Sequence, residues 1–449
     1  MAGITYSSTN FQAEPVGFKE ALIQGQAPDR GLYIPNRIPV VSPEELASFE
    51  SMSYPEIAFQ VTNKFLKGEI PESELLRITK ESYNFDVPIE HIDGKKHVMR
   101  LDRGPTASFK DFAARMMARE MEYFLKEVKK KIKILTATSG DTGSAVGDAY
   151  CGLENIDVTI LFPEKEVTER QRKQMTTLGK NITAIAVDGK FDNCQALVKQ
   201  AFADSELRHM NLSSANSINI GRLLPQSIYY FYAYSRVGEC GGVVYSVPCG
   251  NFGDLTGGLI AQRMGLPVKR FVAAVNENDE FPVFLNTGAY KPVVPSKNCL
   301  SNAMNVGNPS NLPRIVAFYE GRMDEKGAIH KQPNMELMKK ELFSVSISDE
   351  RTRETIRSAY ENYGLILEPH GAVGWAGLED LTSREKSTSP CISLETADPA
   401  KFPEEIERTL GLKPKIPESL KSIESKKEHY LTIDADYEQF KKHLILMHA

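Results

Sequence analysis

Lys110 stands where a primary amine could serve as a nucleophile or a base rather than as a surface cation. It follows Gly104-Pro105-Thr106-Ala107-Ser108-Phe109 and precedes Asp111-Phe112-Ala113. Apolar residues at Phe109, Phe112, Ala113, Met116, Met117, Met121, Phe124, Leu125 and Val128 recur three and four apart, the spacing of a helix with one buried face. The Gly104-Pro105 pair cannot continue a helix and Ser108 is a good N-cap, so the helix is expected to start near Ser108. A lysine in that first turn faces the positive end of the helix dipole, which disfavours its ammonium form by roughly 0.3–1 kcal/mol. The same field helps to keep the amine neutral and nucleophilic. The competing reading is a solvated lysine on a helix surface, the usual situation for this residue type.

Three other turns carry the small and polar residues from which anion sites are made. Pro248-Cys249-Gly250-Asn251-Phe252-Gly253-Asp254 joins a strand over Val243–Val247 to a helix over Leu255–Met264. Two glycines three apart let the backbone approach an anion closely, and the helix start directs free N–H groups toward it. A purely structural turn is the alternative. Ala137-Thr138-Ser139-Gly140-Asp141-Thr142-Gly143 follows a strand over Ile132–Ala137, and a hydroxyl-rich turn at a helix start suits a carboxylate or phosphate. Asp141 could equally be a helix cap. The stretch Ser214–Gln226 gathers Asn216, Ser217 and Asn219 with Arg222, whose guanidinium can grip a phosphate through two bonds where a lysine cannot. A surface arginine beside capping Asn and Ser residues is the other reading. Neither a G-x-G-x-x-G fingerprint nor a Walker A pattern occurs, so nicotinamide and nucleotide readings lose their best support. The eight histidines form no H-x-x-H or H-E-x-x-H pattern and no metal site is expected; His370, at a helix start, reads as packing or capping.

Strands alternating with helices must position these turns. Strands are expected at Ile132–Ala137, Asp157–Phe162, Ile182–Val187, Val243–Val247, Phe271–Val275 and Phe343–Ile347. Helices are expected at Ser144–Cys151, Thr168–Leu178, Asn193–Phe202, Tyr229–Tyr234, Leu255–Met264, Arg351–Tyr363 and Ala372–Leu381. Such alternation implies parallel pairing through right-handed crossovers, hence an open α/β sheet architecture in two lobes, with ligands outside the carboxyl ends of the strands. Residues 1–94 differ. They are rich in Pro and Glu, with helical patterns at Pro43–Phe49, Tyr54–Leu66 and Glu72–Glu81, and read as a mostly helical subdomain. The catalytic region is then 95–449, its lobes dividing near residue 240, with Lys413–His429 as a surface connection before a C-terminal helix.

The 449 residues suffice for two or three domains and a large core. A net charge of −5 gives no reason to expect a nucleic acid or an anionic membrane as partner. The Lys126–Lys133 cluster reads as a solvated helix end. Six scattered cysteines without a C-x-x-C pair read as reduced thiols, and neither a secretion signal nor a membrane-spanning run is evident, so a cytoplasmic location is expected.

Gly104-Pro105-Thr106-Ala107-Ser108-Phe109-Lys110-Asp111-Phe112-Ala113 resembles the pyridoxal-phosphate lysine segment of the threonine synthase family, within the tryptophan synthase β-like fold (pyridoxal-phosphate fold type II). Gly250, Asn251, Phe252, Gly253 and Asp254 match that family's loop around the cofactor phosphate. The resemblance places substrate contacts at Ser139, Asp141 and Thr142, and substrate-phosphate contacts at Asn216, Ser217 and Arg222. Leu394-Glu395-Thr396-Ala397-Asp398-Pro399-Ala400-Lys401-Phe402 resembles the family's C-terminal segment, in which the position of Thr396 approaches the pyridine nitrogen; Asp398 stands where many members have His. Gln26-x-x-x-Arg30-Gly31-Leu32-Tyr33-x-Pro35 resembles the opening of the longer, enteric and fungal-like members.

The implied activity is conversion of O-phospho-L-homoserine and water to L-threonine and phosphate with pyridoxal 5′-phosphate, in a monomer or small homo-oligomer. Lys110 would carry the cofactor as a Schiff base and, once released, act as base at Cα. A serine/threonine dehydratase or cysteine synthase on the same fold is the nearest alternative, and neither needs a second phosphate pocket. A protein that binds the cofactor without turnover is a more distant one.

Overall fold

The apolar runs pair into two sheets of mainly parallel strands. The computed structural model describes residues 3–128, 131–238, 241–385 and 387–447. Its smaller sheet orders Leu431–Asp434, Ile182–Asp188, Ile156–Pro163, Ile132–Ala137 and Leu212–Ser214, all parallel. The larger orders Leu342–Ser346, Val268–Val275, Val243–Pro248, Cys391–Glu395, Lys96–Arg100 and Ile89–Asp93, parallel except for the hairpin of the last two. Every residue of Ile132–Ala137, Val243–Pro248 and Cys391–Glu395 is buried. Sheets covered by helices on both faces have no polar face to alternate with, which is why these strands read as continuous apolar runs.

The two sheets do not follow the expected division of the chain near residue 240. Lys96–Arg100 and Ile89–Asp93 join the larger sheet, although they precede every strand of the smaller one. Leu431–Asp434 returns from the C-terminus to the edge of the smaller sheet, carrying the helix Tyr437–Leu446, whose Phe440 and Leu444 complete a core with Phe191 and Leu197. The chain thus crosses between the lobes at both ends.

The N-terminal helices Pro43–Ser48, Tyr54–Leu66 and Glu72–Ser82 form as expected. The helix Phe18–Gln24 and the antiparallel pair Tyr6–Ser8 with Tyr33–Pro35 were not foreseen, because three-residue strands are too short to show alternation. These helices buttress the long helix Lys110–Val128, here called the lysine helix. Phe112 takes ring contacts from Tyr54 at 5.4 Å, Phe85 at 5.1 Å and Tyr229 at 5.7 Å. Each such pair adds about 0.5–1.5 kcal/mol beyond the area it buries.

The lysine helix starts at Lys110, two residues later than expected, and Ser108 does not cap it. Ser108 is drawn into an antiparallel bridge with Ala397, and its buried hydroxyl has no hydrogen-bond partner. Asp111 organises the entry instead, its carboxylate accepting from the Thr106 N–H (2.9 Å) and hydroxyl (2.6 Å). Gly104 is required here, since a Cβ would lie 2.3 Å from Asp111 Oδ2.

Of the Lys126–Lys133 cluster, Lys126 lies in the last helical turn, while Lys133 is buried in a strand and so is no solvated helix end. Lys129 and Lys130 lie outside the described residues, as does Cys240; the other five cysteines are free thiols. Among the described residues, no helix is long and apolar enough to cross a membrane.

Arg314, fully buried, ties the N-terminal strand pair to the Ser214–Gln226 stretch. It donates to the carbonyls of Tyr33 (2.9 Å), Ser217 (3.1 Å) and Ile218 (2.7 Å), and to Asn311 Oδ1 (2.6 Å). Replacing it with Met strands four acceptors, two of them fully buried. Arg314→Met is expected to lose on the order of 3 kcal/mol, seen as an earlier thermal midpoint, while Arg322→Met on the exposed surface leaves the midpoint essentially unchanged.

Candidate active site

The carboxyl ends of strands from both sheets open onto one cavity. It is lined by all thirteen residues singled out in the sequence: Lys110, Ser139, Asp141, Thr142, Asn216, Ser217, Arg222, Gly250, Asn251, Phe252, Gly253, Asp254 and Thr396. Lys110 is placed by the pairing that displaced Ser108 from its cap. The Phe109 N–H donates to the Thr396 carbonyl (2.9 Å) and the Asp398 N–H to that of Ala107 (3.0 Å), so the lysine loop and the Thr396 loop form a short two-stranded clasp. The Lys110 amine projects into the cavity 4.0 Å from the centre of the Phe109 ring. Burial, with the Arg222 guanidinium acting the same way, pushes its ammonium down to about 8, against opposition from Asp141 and Asp254.

The Gly250–Asp254 loop is a backbone cradle. A Cβ on Gly250 would meet the Ala303 carbonyl at 2.9 Å, and Phe252 takes a left-handed φ of 60° to start the helix Gly253–Arg263. Asn251 anchors the loop from behind, its Oδ1 accepting from the Ser310 hydroxyl (3.1 Å) and its carbonyl from Asn311 Nδ2 (3.0 Å). The N–H groups of the first helical turn have no partner within the helix and are available to a ligand. Asp254 accepts from the hydroxyls of Tyr229 and Tyr230 (2.7 Å for the latter), and burial pushes its carboxyl up to about 6.

Asp141 is not a cap. It is the first residue of the helix Asp141–Tyr150, whose N-cap is Gly140. Its Oδ1 receives Lys401 Nζ at 2.5 Å and Gln171 Nε2 at 3.1 Å. Burial alone would raise its carboxyl, but the Lys401 ammonium, His370 and the bonds from Lys401 and Gln171 hold it below the usual range. The helix start is tied by Thr138, whose Oγ1 accepts from the N–H groups of Gly140 (2.9 Å) and Gly143 (2.8 Å).

Arg222 is buried, not on the surface. Its Nη1 donates to the Ala215 carbonyl (2.5 Å) while its Nε has no partner, and burial pushes its guanidinium down to about 10. Asn216 spends its amide N–H on the Ala137 carbonyl (2.8 Å), and Ser217 Oγ accepts from Asn311 Nδ2 (3.1 Å).

Sequence reasoning gave no role to several residues here. His370, expected to pack or cap, does pack, 5.2 Å from the Phe402 ring; Glu368 is the cap, accepting from the N–H groups of His370 (2.7 Å) and Gly371 (2.8 Å), and His370 also lines the cavity. His370 Nε2 accepts from the Ala303 N–H (3.0 Å), which fixes Ala303 and Met304 along the wall. Gln171 joins the lobes, its Oε1 taking a bond from Asn302 Nδ2 (3.1 Å) while its Nε2 serves Asp141. Only Lys401 had a visible signal, its place in the segment that carries Thr396.

Residues 5–83 match the family described as threonine synthase N terminus, 88–392 that of pyridoxal-phosphate dependent enzyme, and 371–444 that of threonine synthase, C-terminal. The threonine synthase of Haemophilus influenzae is 40% identical over 435 residues, covering 96% of this chain and 97% of its own. That of Escherichia coli is 40% identical over 410 residues, 91% of each chain. This chain belongs to the threonine synthase family. The crystal structure of PLP-bound threonine synthase from Brucella melitensis superposes with a TM-score of 0.91 at 34% identity, covering 98% of this chain and 99% of the other. A fungal L-serine ammonia-lyase from Rhizomucor miehei, 13% identical with a TM-score of 0.51 over 72% of this chain and 98% of its own, shares the fold alone.

As a member of this family the protein is a pyridoxal-phosphate-dependent lyase. The residues present fit that cofactor. A loop whose Gly250 has no room for a Cβ meets a helix start, an amine that burial makes easier to deprotonate lines the same cavity, and a buried guanidinium nitrogen has no partner.

Modification of Lys110 in the cofactor-free protein by an amine-selective reagent is expected to rise with pH through an inflection near 8, followed by peptide mass spectrometry. In Arg222→Met the inflection moves up toward the ordinary lysine value, because one cation opposing the ammonium has gone.

Proposed function

We propose that this cavity converts O-phospho-L-homoserine and water to L-threonine and phosphate, with Lys110 as its catalytic residue. The observation that supports the reading is that two groups of residues suited to anions line the same cavity as one desolvated amine. The backbone cradle Gly250, Asn251, Phe252, Gly253 and Asp254 suits a phosphate held by N–H groups, and Asn216, Ser217 and Arg222 suit a second. A dehydratase or cysteine synthase has no use for the second, and the similarity to the serine ammonia-lyase reaches only the fold.

In this reading Lys110 would hold the cofactor covalently, the cradle would hold its phosphate, and Thr396 would offer a hydroxyl toward its ring nitrogen. When bound, the cofactor supplies an electron sink that acidifies the hydrogens on substrate carbons. The Lys110 amine would take the proton from Cα; its downshifted ammonium suits a group that must both accept and return a proton. Arg222 holds the substrate phosphate through the loss of that group, with Ser139 and Thr142 offering hydroxyls and Asp141 a carboxylate to the amino acid end. We read residues 1–94, apart from the edge strand Ile89–Asp93 that joins the larger sheet, as a subdomain that stiffens the lysine helix, and 95–449 as the catalytic region. The free cysteines support a reducing, cytoplasmic setting.

Lys110→Ala is expected to lack the visible absorbance that the cofactor-saturated wild type shows, and to release no phosphate from phosphohomoserine. Wild type that turned over serine or O-acetylserine in preference would contradict the substrate assignment. Arg222→Ala is expected to raise the KM for phosphohomoserine by about thirtyfold or more while changing cofactor Kd by less than about threefold. An equal loss of both would contradict the division of the two anion sites.

A further inference from the structure

We propose that Lys401 is a positioning residue for this reaction: through its buried ion pair it keeps Asp141 an ionised, acceptor-only wall of the cavity, selecting a hydrogen-bond donor on what binds there. The inference rests on the proposed function only in taking the cavity as the reaction site.

Lys401 cannot itself touch a ligand. It is fully buried, does not line the cavity, and approaches it only through Asp141 Oδ1 at 2.5 Å. Its ammonium also donates to the Thr106 carbonyl (3.1 Å) in the loop that leads to Lys110, and Gln174 Nε2 meets that same carbonyl at 2.9 Å. One cation therefore links the Thr396 segment, the lysine loop and the helix that carries Asp141. The charged and titratable groups facing Asp141 are Lys401, His370 and Lys110; those facing Lys401 are Asp141, Asp111, Asp398 and Lys110.

A carboxylate this deep would take up a proton without a partner, and would then offer an O–H as well as acceptors. Lys401 and Gln171 both engage Oδ1, so the ionised group can accept from a ligand through its remaining lone pairs. The donor chemistry it selects is an N–H⁺ or O–H, which the substrate's ammonium or the cofactor's ring hydroxyl could supply.

The test compares Lys401→Met, Asp141→Asn and the double variant. In the cofactor-free proteins, Lys401→Met is expected to lower the thermal midpoint by about 3–5 °C because a buried carboxylate loses its counter-ion. The double variant recovers much of that loss. In the cofactor-saturated proteins, Lys401→Met gains an ionisation near neutral pH, absent from wild type and from the double variant. It appears in the absorbance of the resting enzyme if the donor is on the cofactor, and only in the pH dependence of kcat/KM for phosphohomoserine if it is on the substrate. Either supports the proposal. Should Lys401→Met fail to fold, folding of the double variant supports the proposal, and failure of the double variant while Asp141→Asn folds overturns it. Additive midpoints together with unchanged pH profiles would overturn it. A wild type without cofactor absorbance would instead overturn the proposed function, leaving the stability cycle to be judged alone.

Discussion

An amine that is to anchor a cofactor and then move a proton has to give up its own proton near neutrality. In this chain that constraint is met by desolvation. Lys110 sits at the start of a helix, beneath an aromatic ring and beside a buried guanidinium, where an ammonium is poorly solvated. A lysine at a helix start on the surface would feel only the dipole, worth under about 1 kcal/mol, so burial is the larger effect and the helix start the smaller. Position then matters more than residue type. The clasp between Ala107–Phe109 and Thr396–Asp398 sets the position, and the aromatic cluster around Phe112 holds the helix that carries it.

The charges around the amine form a second layer of the same argument. Arg222 and Arg314 are both fully buried and donate to carbonyl and amide oxygens. Such cations are costly to bury, and Arg222, the one of the two that lines the cavity, makes it welcoming to phosphates. The two carboxyls that line it each have one oxygen engaged, Asp254 by two tyrosine hydroxyls and Asp141 by Lys401 and Gln171, while Asp254 Oδ2 has no partner.

Much of this was legible in the sequence, for physical reasons. Buried parallel strands leave long apolar runs, and six of them were placed to within a few residues. The turns that follow those strands are where an open sheet puts a site, and the residues singled out in them line one cavity, apart from Asn219, which bonds to the Leu22 and Ser214 carbonyls instead. What escaped has a common cause. Ser108 has the composition of a cap but is claimed by a residue nearly three hundred positions away. Lys401, Gln171, Asn302 and His370 act through partners remote in sequence, which no local pattern records. The lobes interleave because edge strands join whichever sheet they fold against, a tertiary choice that a linear division at residue 240 cannot express.

The most direct test of the account is to saturate the wild-type protein with pyridoxal 5′-phosphate, reduce it with borohydride, digest it and locate the added mass. The account requires the cofactor's mass on the peptide containing Lys110. Its appearance on a peptide carrying a different lysine, Lys401 included, or on none, would contradict it.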